Sequence, residues 1–136
     1  MSAHEPPLGV AIIVCERVIT EEGTGNKSLI SIFNEIHAPT FPCQHERLCV
    51  YLALTNGTGK QHIELRLKCL SDKIGEEPLM KLVGDIVFPD PNAVVELIFD
   101  LRRVVFLRAG SYAFEVHADN QFVFEGRFTV KLQNLT

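Results

Sequence analysis

The last third of the chain decides the fold: Val95-Glu96-Leu97-Ile98-Phe99-Asp100-Leu101, Tyr112-Ala113-Phe114-Glu115-Val116-His117-Ala118 and Phe122-Val123-Phe124-Glu125-Gly126-Arg127-Phe128-Thr129-Val130-Lys131. In each run large apolar residues alternate with smaller or polar ones, and a period of two is that of a strand with one face buried. Asp119-Asn120, between the last two runs, are residue types that tolerate positive φ, so those runs read as antiparallel neighbours joined by a tight two-residue turn.

Working outward, Gly9 to Ile19 is an almost unbroken apolar run suited to a strand covered on both faces. Leu29 to His37 reads as the second strand, and Ala38-Pro39-Thr40-Phe41-Pro42 breaks it. Leu48 to Thr55 and Gln61 to Leu70 are expected to form a second hairpin across Asn56-Gly57-Thr58-Gly59-Lys60. The return strand would place Ile63, Leu65, Leu67 and Cys69 inward and His62, Glu64, Arg66 and Lys68 outward, a solvated charged face. Leu79 to Phe88 is a further strand, ended by Pro89-Asp90-Pro91. Helical periodicity is not sustained anywhere, and only Ser71 to Leu82 leaves room for a short helical turn.

Gly110-Ser111-Tyr112-Ala113-Phe114 has the form of a tyrosine corner, in which a Tyr opening a late strand bonds back across the inter-sheet connection and the residue two later enters the core. The expected fold is therefore all-β: a two-sheet antiparallel β-sandwich of about eight strands, immunoglobulin-like or a similar Greek key, with a closed barrel as the alternative. With no Trp, the disulfide–Trp core of an antibody domain is not expected. One domain over residues 9–132 follows a flexible arm at residues 1–8.

A chain of 136 residues and 15.2 kDa suits one core. Its formal net charge of −4 argues against a general nucleic-acid binder, which needs a basic footprint. The start lacks a cationic segment followed by an apolar run, and no apolar run approaches the roughly 20 residues that span a bilayer, so a cytoplasmic protein without membrane attachment is expected. Cys15, Cys43, Cys49 and Cys69 form no Cys-x-x-Cys pair; Cys15 and Cys69 read as small core residues. Cys43 and His45 could supply two zinc ligands, but a structural site wants four, so no metal and no cofactor is expected. Asn26, Asn56 and Asn134 open sequons that, without a secretory signal, reflect turn composition.

The residues also resemble a family. Val14-Cys15-Glu16-Arg17, the block from Glu22 to Asn34, Ala38-Pro39 with Phe41-Pro42, His45 and Arg47-Leu48, and Phe106 with Gly110, Tyr112 and Phe114-Glu115-Val116 together look like an uncharacterised bacterial family of small all-β cytoplasmic proteins. The resemblance implies bacterial origin and a compact sandwich and supplies no catalytic residues. The chain departs from the family pattern at Leu107, where Pro is usual, and at Asn120, where Gly is usual.

No nucleophile elbow appears, and Gly23-Thr24-Gly25 and Gly57-Thr58-Gly59 lie between strands, where they make turns rather than phosphate cradles. Asp85, Asp90 and Asp119 are too scattered for a calcium site. If consecutive strands alternate in direction, one end of the sandwich gathers the connections around residues 37–47, 71–78 and 102–110. His45, Arg47, Arg102, Arg103 and Arg108 then become candidate binding residues for an anionic ligand or an acidic partner, unless carboxylates such as Glu46, Glu76, Glu77 and Asp100 neutralise them.

The expected function is a noncatalytic interaction or self-associating module with an unidentified protein partner, a homodimer included. The alternative is a small-ligand, anion or carbohydrate-binding sandwich with enzymatic activity in reach; the lack of Trp and the presence of only Tyr51 and Tyr112 as tyrosines weigh against a sugar platform. The apolar run after Gly9 is expected to be covered within the monomer or buried in a homodimer.

Overall fold

The computed structural model describes residues 6–71 and 77–133. Nine strands occur in chain order: β1 (Leu8–Thr20), β2 (Lys27–Ile32), β3 (Glu35–Ala38), β4 (Cys43–Thr55), β5 (Gly59–Cys69), β6 (Met80–Phe88), β7 (Val95–Phe106), β8 (Gly110–Ala118) and β9 (Gln121–Leu132). They form a four-stranded sheet in the order β2-β1-β4-β7 and a five-stranded sheet in the order β3-β9-β8-β5-β6. The fold is an all-β two-sheet sandwich, mostly antiparallel. No helix occurs among the described residues, and residues 72–76, part of the expected helical turn, lie outside them, as do residues 1–5 of the expected arm.

Alternation fills the space between the sheets. Leu48, Val50, Leu52 and Leu54 of β4 face Ile63, Leu65 and Leu67 of β5, with Phe114 and Val116 of β8 beside them, all nearly or fully buried. Burying a side chain of this size contributes roughly 1.5–3 kcal/mol of transfer free energy. Phe106, Tyr112, Phe114 and Phe128 form the aromatic part of this core, with Tyr112 and Phe128 stacked at 5.7 Å and Phe106 edge-on to Tyr112 at 5.1 Å.

Three sequence expectations are corrected. The run Leu29 to His37 is two strands in different sheets: Ser31 has a φ of 56°, and β3 turns away to pair in parallel with β9, Ile36 in register with Val130. The sandwich is therefore mostly antiparallel, and the split brings the expected count of about eight strands to nine. β4 and β5 do not form a hairpin; both lateral sides of β4 are taken, by β1 and β7, so Asn56-Gly57-Thr58 carries the chain across to the other sheet. Gly57 is needed there because the Phe88 ring occupies the space a Cβ would fill. Finally, β1 is not covered on both faces: Ile12 and Val14 pack inward, while Leu8, Val10 and Ile19 stay exposed. Its lateral edges are closed by β2 and β4.

The β8–β9 turn is as expected, with Asp119 and Asn120 at φ 46° and 69°. Asn120 thus holds the left-handed conformation that Gly would adopt without strain.

Candidate functional site

Register decides which connections share an end. Cys43 faces Phe106 across β4 and β7, Leu67 faces Met80 across β5 and β6, and Cys69 faces Tyr112 across β5 and β8. The Leu70 N–H donates to Ser111 O at 2.8 Å, and the Ser111 N–H donates to Ser71 Oγ at 3.1 Å. The two connections whose arginines were singled out, around residues 37–47 and 102–110, therefore lie at one end, with Leu70 and Ser71 beside the second. Tyr112 Oη donates to Arg108 O at 2.6 Å, the bond of a tyrosine corner, and burial, followed by the neighbouring Cys69, pushes its phenol up to about 12.

The charges at this end are largely spent on one another. Arg47 and Arg102 are register partners, and both converge on Asp100: Arg47 Nη2 at 3.3 Å and Arg102 Nε at 3.2 Å. Partial burial works against ionisation of Asp100, but hydrogen bonds from Arg102 and Arg47 outweigh it and hold the carboxyl below its ordinary value. Arg103 sits at φ 55°, exposed, where the buried parity of β7 changes from Phe99 and Leu101 to Val104 and Phe106. Arg108 is not without a partner either. His45 faces Val104 in register and packs its ring against Phe33 at 5.9 Å.

His45 and Arg47 line a cleft of about 410 Å³ with His37, but Glu16, Glu35 and Glu46 line it too. Glu35 is bonded by Lys131 at 2.8 Å, which lowers its carboxyl pKa. The cleft is thus mixed in charge. Arg47 Nε is buried without a hydrogen-bond partner among the described residues. The described residues hold no cluster of three or more His, Cys, Asp or Glu that could bind a metal. Cys15 and Cys49 are in register across β1 and β4, both buried, and burial raises both thiols, so neither is an activated nucleophile.

The outward face of the five-stranded sheet is the charged ladder read from sequence, knitted together. Glu64 pairs with Arg66, Glu115 takes both Lys68 at 3.4 Å and His117 at 3.1 Å, and Arg127 pairs with Glu125 at 2.8 Å.

The other unspent surface is lateral. Four strands end the two sheets, and three of them are guarded. β2 has six residues and a positive φ at Ser31; β3 has four and runs into Pro39; β7 is interrupted at Arg103. β6 runs nine residues with no bulge and no proline before Pro89, and its outward row holds Leu79 just before the strand, then Lys81, Val83, Asp85 and Val87. Leu79, Val83 and Val87 are 50%, 61% and 62% exposed. Sequence reasoning found this strand but not its place at an edge; the one signal was valine at positions where the neighbouring strand carries charge.

Sheet order and packing define the class, a small all-β sandwich. The chain belongs to the family of unknown function DUF6941, whose model matches residues 10–131. No curated protein matches it. Among solved structures it is similar to a β-glucosidase from Listeria innocua in complex with glucose, at 16% identity and a TM-score of 0.50, over 83% of this chain and 18% of that one. It is also similar to the alkylpurine DNA glycosylase AlkC of Pseudomonas fluorescens bound to DNA with an abasic-site analogue, at 10% identity and a TM-score of 0.48, over 88% of this chain and 30% of that one. The chain thus spans less than a third of either protein, and the likeness to the β-glucosidase concerns fold alone.

Proposed function

We infer that the protein is a noncatalytic interaction module that takes a polypeptide strand onto the open edge of β6. The observation carrying this is the uninterrupted nine-residue edge whose outward row keeps Leu79, Val83 and Val87 exposed. An open edge offers a row of backbone donors and acceptors, and strand addition satisfies them while burying the apolar side chains beside them. An immunoglobulin-like reading supports it: β9, β8, β5 and β6 follow the order of the variable-type sheet, β3 joins β9 in parallel, and Tyr112 makes its corner. A cytoplasmic setting and a bacterial source belong to the same reading. The anion reading rests on the unpartnered Arg47 Nε and is opposed by Asp100 and by the three glutamates in the cleft.

The test is photo-crosslinking in living cells from a photoreactive residue at Val83 or Val87, with Arg127 on the outer sheet face as control. Adducts from the two valines and none from Arg127 are expected. Adducts from Arg127 with none from either valine overturn the reading.

A further inference from the structure

We propose that the strand received by β6 is β6 of a second copy, paired antiparallel about a two-fold axis through Val83. This rests on the β6 edge being an interaction surface and adds the identity and register of the occupant.

The backbone points the right groups outward. The Asp119 N–H donates to His62 O at 2.9 Å and the Leu70 N–H to Ser111 O at 2.8 Å, so the even-numbered residues of β5 direct their backbone groups to β8 and the odd-numbered ones to β6. Ile63, Leu65 and Leu67 face Gly84, Leu82 and Met80, which are therefore the β6 residues that bond β5. Lys81, Val83, Asp85 and Val87 are left to direct their N–H and C=O groups at the open edge.

The side chains of that same row are complementary to themselves when reversed. With Val83 opposite Val83 of the second copy, Lys81 falls opposite its Asp85 and Asp85 opposite its Lys81, while Val87 comes beside its Leu79, which lies just outside the strand and donates its own N–H to Leu67 O at 2.7 Å. Every outward position then meets a suitable neighbour: apolar with apolar, cation with anion. A register slipped by two residues along the strand sets Lys81 or Asp85 against valine, so the charges select this one. Isologous pairing of this kind closes on itself as a dimer, joining two five-stranded sheets into one. Within the monomer Asp85 already meets His62 Nδ1 at 3.0 Å and Lys60 at 4.0 Å, yet its side chain remains 54% exposed. Lys81 forms no ion pair among the described residues.

Sedimentation equilibrium of the full chain tests this with variants that carry opposite charges. Lys81→Asp puts Asp against Asp85 of the second copy, and Asp85→Lys puts Lys against Lys81; each variant alone should self-associate at least about tenfold more weakly than the unaltered chain. An equimolar mixture of the two restores both opposite-charge pairs and should associate as tightly as the unaltered chain. Val83→Arg, which leaves Asp85 with His62 and Lys60, sets two like charges across the axis and should weaken association by a similar factor. Thermal midpoints measured beside each run separate misfolding from lost pairing. A mixture no tighter than its components, or association indifferent to Val83→Arg, overturns the register. A chain that stays monomeric at about 100 μM while Val83 crosslinks a different protein overturns self-pairing and leaves the interaction reading of the β6 edge standing.

Discussion

β8 and β6 belong to one sheet, on either side of β5, and share the same alternating pattern, yet they are specified by different things. β8 has neighbours on both sides, and Tyr112, Phe114 and Val116 project into a core that surrounds them. β6 buries Ile86 and Phe88 inward, but in its outward row only Asp85 forms an ion pair, with His62 and Lys60, and one lateral side pairs with no strand among the described residues. Period two satisfies a fold when both sides of a ladder close within the chain. Where one side stays open among the described residues, the same pattern is left without a neighbour to answer it, and the neighbour proposed above is a second copy.

The contrast breaks most sharply through stability. Phe114→Ala, in the stack with Phe128 at 5.4 Å, should cost roughly 3–5 kcal/mol in urea unfolding because it leaves a cavity. A cost under about 1 kcal/mol would mean that the core collapses around the loss and that β8 is not fixed by packing. Tyr112→Phe removes the bond to Arg108 O while keeping the ring, and should cost about 0.5–1.5 kcal/mol. An unchanged urea midpoint would remove the tyrosine corner from the account.

A smaller effect belongs to Asp100, between its two arginines. Its folded-state pKa is lowered, so the pairing stabilises above the ordinary value of 3.8 and is lost as pH falls through the folded-state value. Asp100→Asn should therefore cost up to about 1 kcal/mol at neutral pH, discounted for its exposure, and the difference from the unaltered chain should close in acid. A gap that widened as the pH fell would contradict the pairing. Smallest of all, Val83→Arg should move monomer stability by no more than about 0.5 kcal/mol, because its side chain lies outside the core.

What was legible in the sequence was local. Asp119-Asn120 announced its hairpin because both residues must take positive φ there and these types tolerate it. Ile63, Leu65 and Leu67 announced their burial by spacing alone. The alternation of strand direction also brought the arginine-bearing connections to one end, and the two-residue spacing of Asp100 and Arg102 on one strand face held the signal that they would meet. What was not legible was sheet membership. Nothing between Thr55 and Gly59 tells a turn within one sheet from a crossing between two, since that depends on β1 and β7 having closed both sides of β4. The parallel pairing of β3 with β9 spans almost the whole chain, and the exposure of β6 follows from the order of a complete sheet.

The most direct test of the central claim is residue-resolved hydrogen exchange at rising protein concentration. The amides of Lys81, Val83, Asp85 and Val87 should become protected as concentration rises, while those of Leu82, Gly84 and Ile86, already bonded to β5, and those along the β7 edge keep a constant rate. Protection that appears on β7 instead, or β6 edge amides whose exchange never changes with concentration, would contradict it.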